Sequence, residues 1–138
     1  MLQIESRAYA AMVGHAYDGL PDEACGLLGG RHQRASVELF VPCPNIDGSS
    51  RTYSIGPDGW RLAEEALDPL GLDVVGVMHS HTHTSAYPSP TDVDKADNPL
   101  LAGWHFIIVS LREEAPVLRA FVIEDRNISE EAVVLTGR

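Results

Sequence analysis

The run DVVGVM, residues 73–78, constrains the fold of this chain more than any other segment. It is apolar and rich in β-branched residues, a composition typical of a buried strand. The run leads directly into His79 and His81, which alternate with Ser80. The sequence therefore predicts a buried strand that ends in two histidines, at a point where an ordered backbone can orient both side chains.

Three segments are predicted to form helices: residues 6–18, about 57–70 and 89–96. The first has apolar residues at helical spacing, with Ser6 as its N-cap and Gly19 after its end. In the second, Pro57 lies in the first turn, where proline is favoured. The third is expected to begin at Ser89, where S-P-T-D places Ser at the N-cap, Pro at N1 and Asp at N3.

Further strands are predicted from short β-branched or apolar runs: residues 21–30, 35–45, 51–55, 104–111, 117–125 and 130–135. The first two are expected to form a hairpin that turns between residues 29 and 34. Together with the buried run, these segments predict a mixed β-sheet with two or three helices packed on it. The fold class is thus α/β or α+β, and residues 1–138 are expected to form one domain.

The charge of the chain argues against a nucleic-acid partner, because 10 Lys and Arg stand against 20 Asp and Glu, a net charge of −10. No apolar run approaches the ~18 residues of a membrane span, and the N-terminal segment lacks the pattern of a signal peptide. These features predict a cytoplasmic protein without a membrane partner. Cys25 and Cys43 are not in a CxxC pair, so free thiols are the favoured interpretation.

The histidine pair is suited to metal binding. A catalytic zinc ion takes three protein ligands from His and carboxylate side chains and leaves a fourth position open. On an extended segment, His79 and His81 point to the same side. Asp92 follows 11 residues after His81, in the first turn of the predicted third helix, and the loop between them is long enough to fold back. A carboxylate in that turn is also kept ionised by the helix dipole.

Such a site needs a carboxylate as general base and a donor for the developing oxyanion. Ser89 is close enough in sequence to be that donor. Spacing alone does not identify the base, because the chain has many acidic residues.

The motif His79-Ser80-His81, seven residues, then Ser89-Pro90-Thr91-Asp92 resembles the signature of the JAMM (MPN-plus, Mov34/MPN/PAD-1) zinc metalloproteases. That signature includes a glutamate on an early strand, and Glu23 in PDEACGLLGG is similar to it. The stretch HSHTHTSAYPSPTD most resembles the small bacterial members, in particular the Mec type. One departure is Thr82, where many members of the family have proline.

The resemblance implies a cytidine-deaminase-like fold with a β-sheet between helices. It implies that His79, His81 and Asp92 bind Zn²⁺, that Glu23 is the general base, and that Ser89 steadies the water or the oxyanion. The implied substrate is a ubiquitin-like sulfur carrier protein with a Gly-Gly C-terminus. The Mec type removes a cysteine from that tail, a step in cysteine biosynthesis.

Two other functions stay open at this point. One is a JAMM isopeptidase that acts on a different ubiquitin-like conjugate. The other is a non-catalytic MPN scaffold, which the sequence disfavours because scaffolds lack one or more of the signature residues. S-x-x-D is also a capping box, and both roles can hold together. His83 is expected in a loop near the substrate, and Cys25 is assigned equally to packing and to the substrate groove.

Overall fold

The computed structural model describes residues 1–137. Its strands are β1 (Leu2–Glu5), β2 (Cys25–Gly30), β3 (Ser36–Val37), β4 (Leu39–Cys43), β5 (Asp73–His81), β6 (His105–Ser110), β7 (Val117–Glu124), β8 (Asn127–Glu131) and β9 (Val133–Thr136). Its α-helices are α1 (Ser6–Asp18), α2 (Pro57–Leu67) and α3 (Pro90–Ala96). Two 3₁₀ turns follow α2 and α3, at Asp68–Leu70 and Pro99–Leu101.

The strands form two sheets, and β5 lies inside the larger one. That sheet has six strands in the order β4-β2-β5-β6-β7-β8, and the smaller one has three in the order β3-β1-β9. β5 pairs antiparallel with β2 and parallel with β6. The predicted α/β class with a mixed sheet is confirmed, and the histidines of β5 lie at an end of a strand that has neighbours on both sides.

Neighbouring residues of the central strands face opposite sides of the larger sheet. Val77 packs in a core that includes residues of α2 and α3, whereas Met78 packs in a core that includes the buried face of α1. This follows from the two-residue period of a strand. His79 therefore continues the row of Val77, on the side of the sheet where α2 and α3 lie.

Gly76 allows β5 and β6 to approach closely. A Cβ atom at this position would lie 2.1 Å from the carbonyl oxygen of His105, the residue that it faces on β6. Any side chain there would push the two strands apart, so glycine is required inside an otherwise β-branched run.

Several sequence predictions need correction. Residues 51–55 do not form a strand, and only a single bridge joins Ile55 to Asn45. Ser6 does not cap α1 with its side chain, which instead donates a hydrogen bond to the carbonyl of Thr136. β1 and β8 were not predicted, and the last strand starts at Val133 rather than at residue 130.

None of the helices in residues 1–137 has the length and apolar character needed to cross a membrane.

Candidate metal centre

The structure brings His79, His81 and Asp92 together. The Nε2 atoms of the two histidines are 3.1 Å apart, and they lie 3.2 Å and 3.1 Å from Oδ2 of Asp92. Both histidines are buried, and Asp92 is half-buried. The three atoms form a nearly equilateral triangle at the end of β5.

This triangle fits one face of a zinc tetrahedron. Zinc–ligand distances of about 2.0–2.1 Å place the ligand atoms of a tetrahedral site about 3.3 Å apart. The observed 3.1–3.2 Å separations are close to that value. Three electron-rich atoms at this distance repel one another unless a proton or a cation lies among them, so the donor set suits a metal ion with one open position.

A backbone carbonyl fixes the orientation of His81. Its Nδ1 lies 2.7 Å from the carbonyl oxygen of Ser85, which can only accept a hydrogen bond. Nδ1 therefore carries the proton, and in the neutral ring the Nε2 lone pair points at the centre of the triangle. This arrangement is typical of metal-binding histidines.

The ring of His79 is held by stacking. Tyr53 lies parallel to it, with ring centroids 4.5 Å apart and an interplanar angle of 18°. Lys95, a residue of α3, places its ammonium group 4.2 Å from the centroid of the Tyr53 ring. Tyr53 thus contacts both His79 and α3, the helix that carries Asp92.

Asp92 is presented by a capping box. The Ser89 hydroxyl accepts a hydrogen bond from the Asp92 backbone N–H at 3.1 Å, and the Ser89 N–H donates to Oδ2 of Asp92 at 2.9 Å. The predicted cap is confirmed. The carboxylate oxygen that accepts the Ser89 N–H also faces both histidines, so the start of α3 fixes the position of this oxygen.

The charges of the three side chains are strongly coupled. Burial raises the pKa of Asp92, but the hydrogen bonds with the two histidines outweigh it and hold the pKa well below its usual range. Burial lowers the pKa of His79. Burial also lowers the pKa of His81, but its hydrogen bonds with Asp92 and Ser85 outweigh this and raise the pKa above 6.5. In the metal-free protein, a proton on His81 would occupy the place of a cation.

Glu23 lies just before β2, and three hydrogen bonds fix its segment. Its backbone N–H donates to the Ser49 carbonyl at 2.8 Å, and its carbonyl accepts from the Asn45 side chain at 2.9 Å. The next residue, Ala24, donates its N–H to the Ser80 hydroxyl at 2.7 Å. Because Ser80 lies between the two histidines of β5, this last bond ties the carboxylate segment to the metal-ligand segment.

Glu23 is a buried residue, only 6% exposed. Burial raises its pKa from 4.5 to about 7, with His81 lowering it and Asp92 raising it by smaller amounts. Both ligand candidates therefore lie close enough to influence its charge. A carboxyl group whose pKa is near neutrality can both accept and return a proton at physiological pH.

A cavity of about 350 Å³ opens beside these residues. Glu23, His81 and Ser89 contribute to its wall, together with Ser50, Arg51, Thr82, His83 and Thr84. The predicted base, one metal-ligand candidate and the predicted oxyanion donor thus face one common space.

Two residues left open by the sequence are now placed. His83 is exposed, follows the end of β5, and lies outside the ligand triangle. Cys25 is fully buried, faces Cys43 across β2 and β4, and packs in the core, so the packing interpretation is correct. The sequence did not reveal that Tyr53 and the Ser85 carbonyl orient the two histidines, since stacking and backbone contacts leave no local motif.

Comparison with known proteins gives a consistent result. The family model for prokaryotic homologs of the JAB domain matches residues 5–124. The chain is 37% identical over 138 residues to the CysO-cysteine peptidase of Mycobacterium tuberculosis, covering 96% of this chain and 90% of that protein. It is 31% identical over 114 residues to the desampylase of Haloferax volcanii, covering 79% and 80%.

The fold also matches a solved structure. A JAB1/MPN domain protein from Archaeoglobus fulgidus superimposes with a TM-score of 0.61 at 19% identity, covering 99% of this chain and 97% of that one. At this identity the likeness shows the fold, which agrees with the fold expected from the signature residues.

Proposed function

Since the chain belongs to the family of prokaryotic homologs of the JAB domain, we propose that it is a zinc metallopeptidase acting on a ubiquitin-like sulfur carrier protein. It hydrolyses the amide bond after the C-terminal Gly-Gly of the carrier and releases cysteine, a step in cysteine biosynthesis. The single observation that carries the proposal is the triangle of His79, His81 and Asp92, with the buried Glu23 in the wall of a cavity that His81 also lines. The 37% identity to a CysO-cysteine peptidase supports the choice of substrate.

His79, His81 and Asp92 would hold the zinc ion through Nε2, Nε2 and Oδ2. When bound, zinc lowers the pKa of a water to about 7 and polarises the scissile carbonyl group. The Ser85 carbonyl and the Tyr53 ring keep the two imidazoles in the required orientation. Supporting groups of this kind raise metal affinity by fixing the tautomer and the ring angle.

Glu23 is the proton-transfer residue in this proposal. Its carboxylate accepts a proton from the attacking water and delivers that proton to the leaving amine nitrogen. Low exposure keeps bulk water from replacing the carboxylate in either step.

Ser89 completes the proposed site. Its hydroxyl oxygen accepts the Asp92 N–H, so its own proton is free to be donated to the oxyanion that develops on the scissile carbonyl. The capping box and the catalytic role thus use different atoms of the same hydroxyl group.

The proposal is tested with a sulfur carrier protein that bears one extra cysteine after Gly-Gly. The carrier is incubated with the zinc-loaded protein, with and without a chelator, and its intact mass is measured. Loss of one cysteine mass that the chelator blocks supports the metallopeptidase and its leaving group. An unchanged mass with zinc bound would refute this choice of substrate.

A second candidate is an isopeptidase on another ubiquitin-like conjugate, favoured by the 31% identity to a desampylase. The same assay with a Gly-Gly tail joined to a lysine side chain separates the two. A non-catalytic scaffold is disfavoured because the ligand triangle and the carboxyl group beside it are all present.

A further inference from the structure

We propose that Arg51 binds the α-carboxylate of the leaving amino acid and thereby favours conjugates that release a free amino acid over those joined to a lysine side chain. This inference rests on the proposed function. It adds a specificity-determining residue that is outside the JAMM signature and outside the ligand triangle.

The position of the leaving group follows from the proton transfer. The leaving nitrogen must lie within hydrogen-bonding reach of Glu23, which returns a proton to it. Glu23 lines the cavity of about 350 Å³ that also contains Arg51 in its wall. When the leaving group is an amino acid, its carboxylate carbon is only two bonds from that nitrogen. The carboxylate therefore enters this same cavity.

The loop that carries Arg51 is held against the catalytic segment. The Ser49 hydroxyl accepts the N–H groups of Arg51 at 3.0 Å and of Thr52 at 3.3 Å, while the Ser49 carbonyl accepts the N–H of Glu23. In the cavity wall, the Thr82 hydroxyl donates to the Ser50 carbonyl at 3.2 Å. The backbone at Arg51 is thus fixed relative to both the base and the end of β5.

The guanidinium of Arg51 is available to a ligand. Within residues 1–137 it has no carboxylate partner within 4.0 Å. Arg61, by contrast, pairs with Glu65, and Arg126 pairs with Asp94. Arg34 shares this lack of a partner within residues 1–137, but it lines a different cavity. Among the residues that line the cavity, Arg51 is the only one with a permanent positive charge.

The charges in the cavity favour a cation beside the incoming carboxylate. An incoming α-carboxylate approaches the Glu23 carboxyl group, and two like charges at short range repel each other. A guanidinium in the wall offsets that repulsion and can hold both carboxylate oxygens with two parallel hydrogen bonds. A lysine side chain brings no carboxylate to this position, so Arg51 gives it no comparable stabilisation.

The experiment compares three substrates with the zinc-loaded enzyme. They are a carrier ending in Gly-Gly-Cys with a free carboxylate, the same carrier ending in the C-terminal carboxamide, and a carrier joined through Gly-Gly to a lysine side chain in a peptide. The measured quantity is kcat/KM for each substrate, followed by intact mass. The enzymes are the unaltered chain, Arg51→Gln, Arg51→Lys and Arg34→Gln. Arg34 is a matched control because it is exposed and lines a separate cavity beside β1 and β3.

We expect the unaltered enzyme to prefer the carboxylate over the carboxamide by about ten- to a hundred-fold, the range for a hydrogen bond to a charged group. Arg51→Gln should bring this ratio close to one, Arg51→Lys should restore part of it, and Arg34→Gln should keep it.

Two results would overturn the inference while leaving the metallopeptidase intact. One is equal cleavage of carboxylate and carboxamide by the unaltered enzyme, and the other is an unchanged ratio in Arg51→Gln. Preference for the lysine conjugate would also overturn it and would favour the isopeptidase. Absence of cleavage of all three substrates with zinc bound would refute the proposed function, and the inference with it.

Discussion

Replacement of Glu23 by glutamine should lower turnover by several orders of magnitude and leave the metal site intact. The amide has nearly the same size and shape as the carboxyl group, but it cannot accept a proton. General-base catalysis contributes about 10²–10⁴-fold to rate, or about 3–5 kcal/mol of transition-state stabilisation. Because Glu23 is only 6% exposed, bulk water cannot readily take over its function. We therefore expect a loss near the upper end of that range.

The assay measures kcat/KM on the Gly-Gly-Cys carrier together with zinc content by elemental analysis. Asp22→Asn is a matched control, since it removes one negative charge from the neighbouring residue, which lies outside the cavity wall. The control should retain activity. Full activity of Glu23→Gln would exclude the proposed base, and loss of zinc from Glu23→Gln would mean that Glu23 acts through the metal site instead.

The same substitution has a measurable effect on stability in the metal-free protein. Burial raises the pKa of Glu23 from 4.5 to about 7, so the unfolded chain loses this proton at lower pH than the folded chain. The stability that the Glu23 carboxyl group contributes is fully present below pH 4.5 and is lost as the pH rises through about 7. Glutamine does not titrate, so Glu23→Gln should gain stability relative to the unaltered chain as the pH rises across that window. Thermal unfolding at several pH values, with zinc removed, checks this sign.

Three further changes test other parts of the site and fold. Asp92→Asn should lower zinc affinity by more than about a hundred-fold, because losing a metal ligand costs more affinity than losing a group that only supports one. Unchanged affinity in chelator competition would remove Asp92 from the ligand set. Zinc affinity should rise with pH through and above 6.5, because zinc must displace the proton that His81 retains through its raised pKa. Calorimetry in two buffers of different ionisation enthalpy should show proton release on zinc binding, and absence of that release would contradict the coupling. Gly76→Ala should lower the free energy of unfolding by about 3 kcal/mol, since its Cβ would lie 2.1 Å from the His105 carbonyl oxygen. Gly14→Ala in α1, whose Cβ would meet no other part of the fold within 4 Å, should cause no such loss in urea unfolding.

The parts of the site that sequence could predict are those encoded by short-range patterns. His79 and His81 share a side because a strand alternates every two residues, and the run before them is buried whatever it pairs with. Ser89 and Asp92 form a capping box because the motif S-P-T-D is complete within four residues. Each of these predictions depends on contacts inside one element, so no knowledge of the sheet order was needed.

Glu23 shows where local reasoning ended. Its distance from the ligands depends on the pairing of β2 with β5, in which Cys25 faces His79. Nothing in the segment PDEACGLLGG specifies that register, and only the resemblance to a family singled out this glutamate among the acidic residues. β1 was missed for a similar reason, since its four residues pair with β9 near the other end of the chain.

The fold anchors the proposed metal ligands and the proposed base on separate segments. The proposed ligands are fixed by the end of β5 and the cap of α3, whereas the Glu23 segment is fixed by Asn45 and by the loop that carries Arg51. Two hydrogen bonds join these segments directly: the Ser80 hydroxyl accepts the Ala24 N–H at 2.7 Å, and the Ser80 N–H donates to the Ala24 carbonyl at 2.9 Å. This separation explains why a Glu23 variant should keep zinc. It also predicts that Ser80→Ala, which removes only the first of these hydrogen bonds, loosens the Glu23 segment while leaving the three ligand atoms together, so kcat should fall at unchanged metal content.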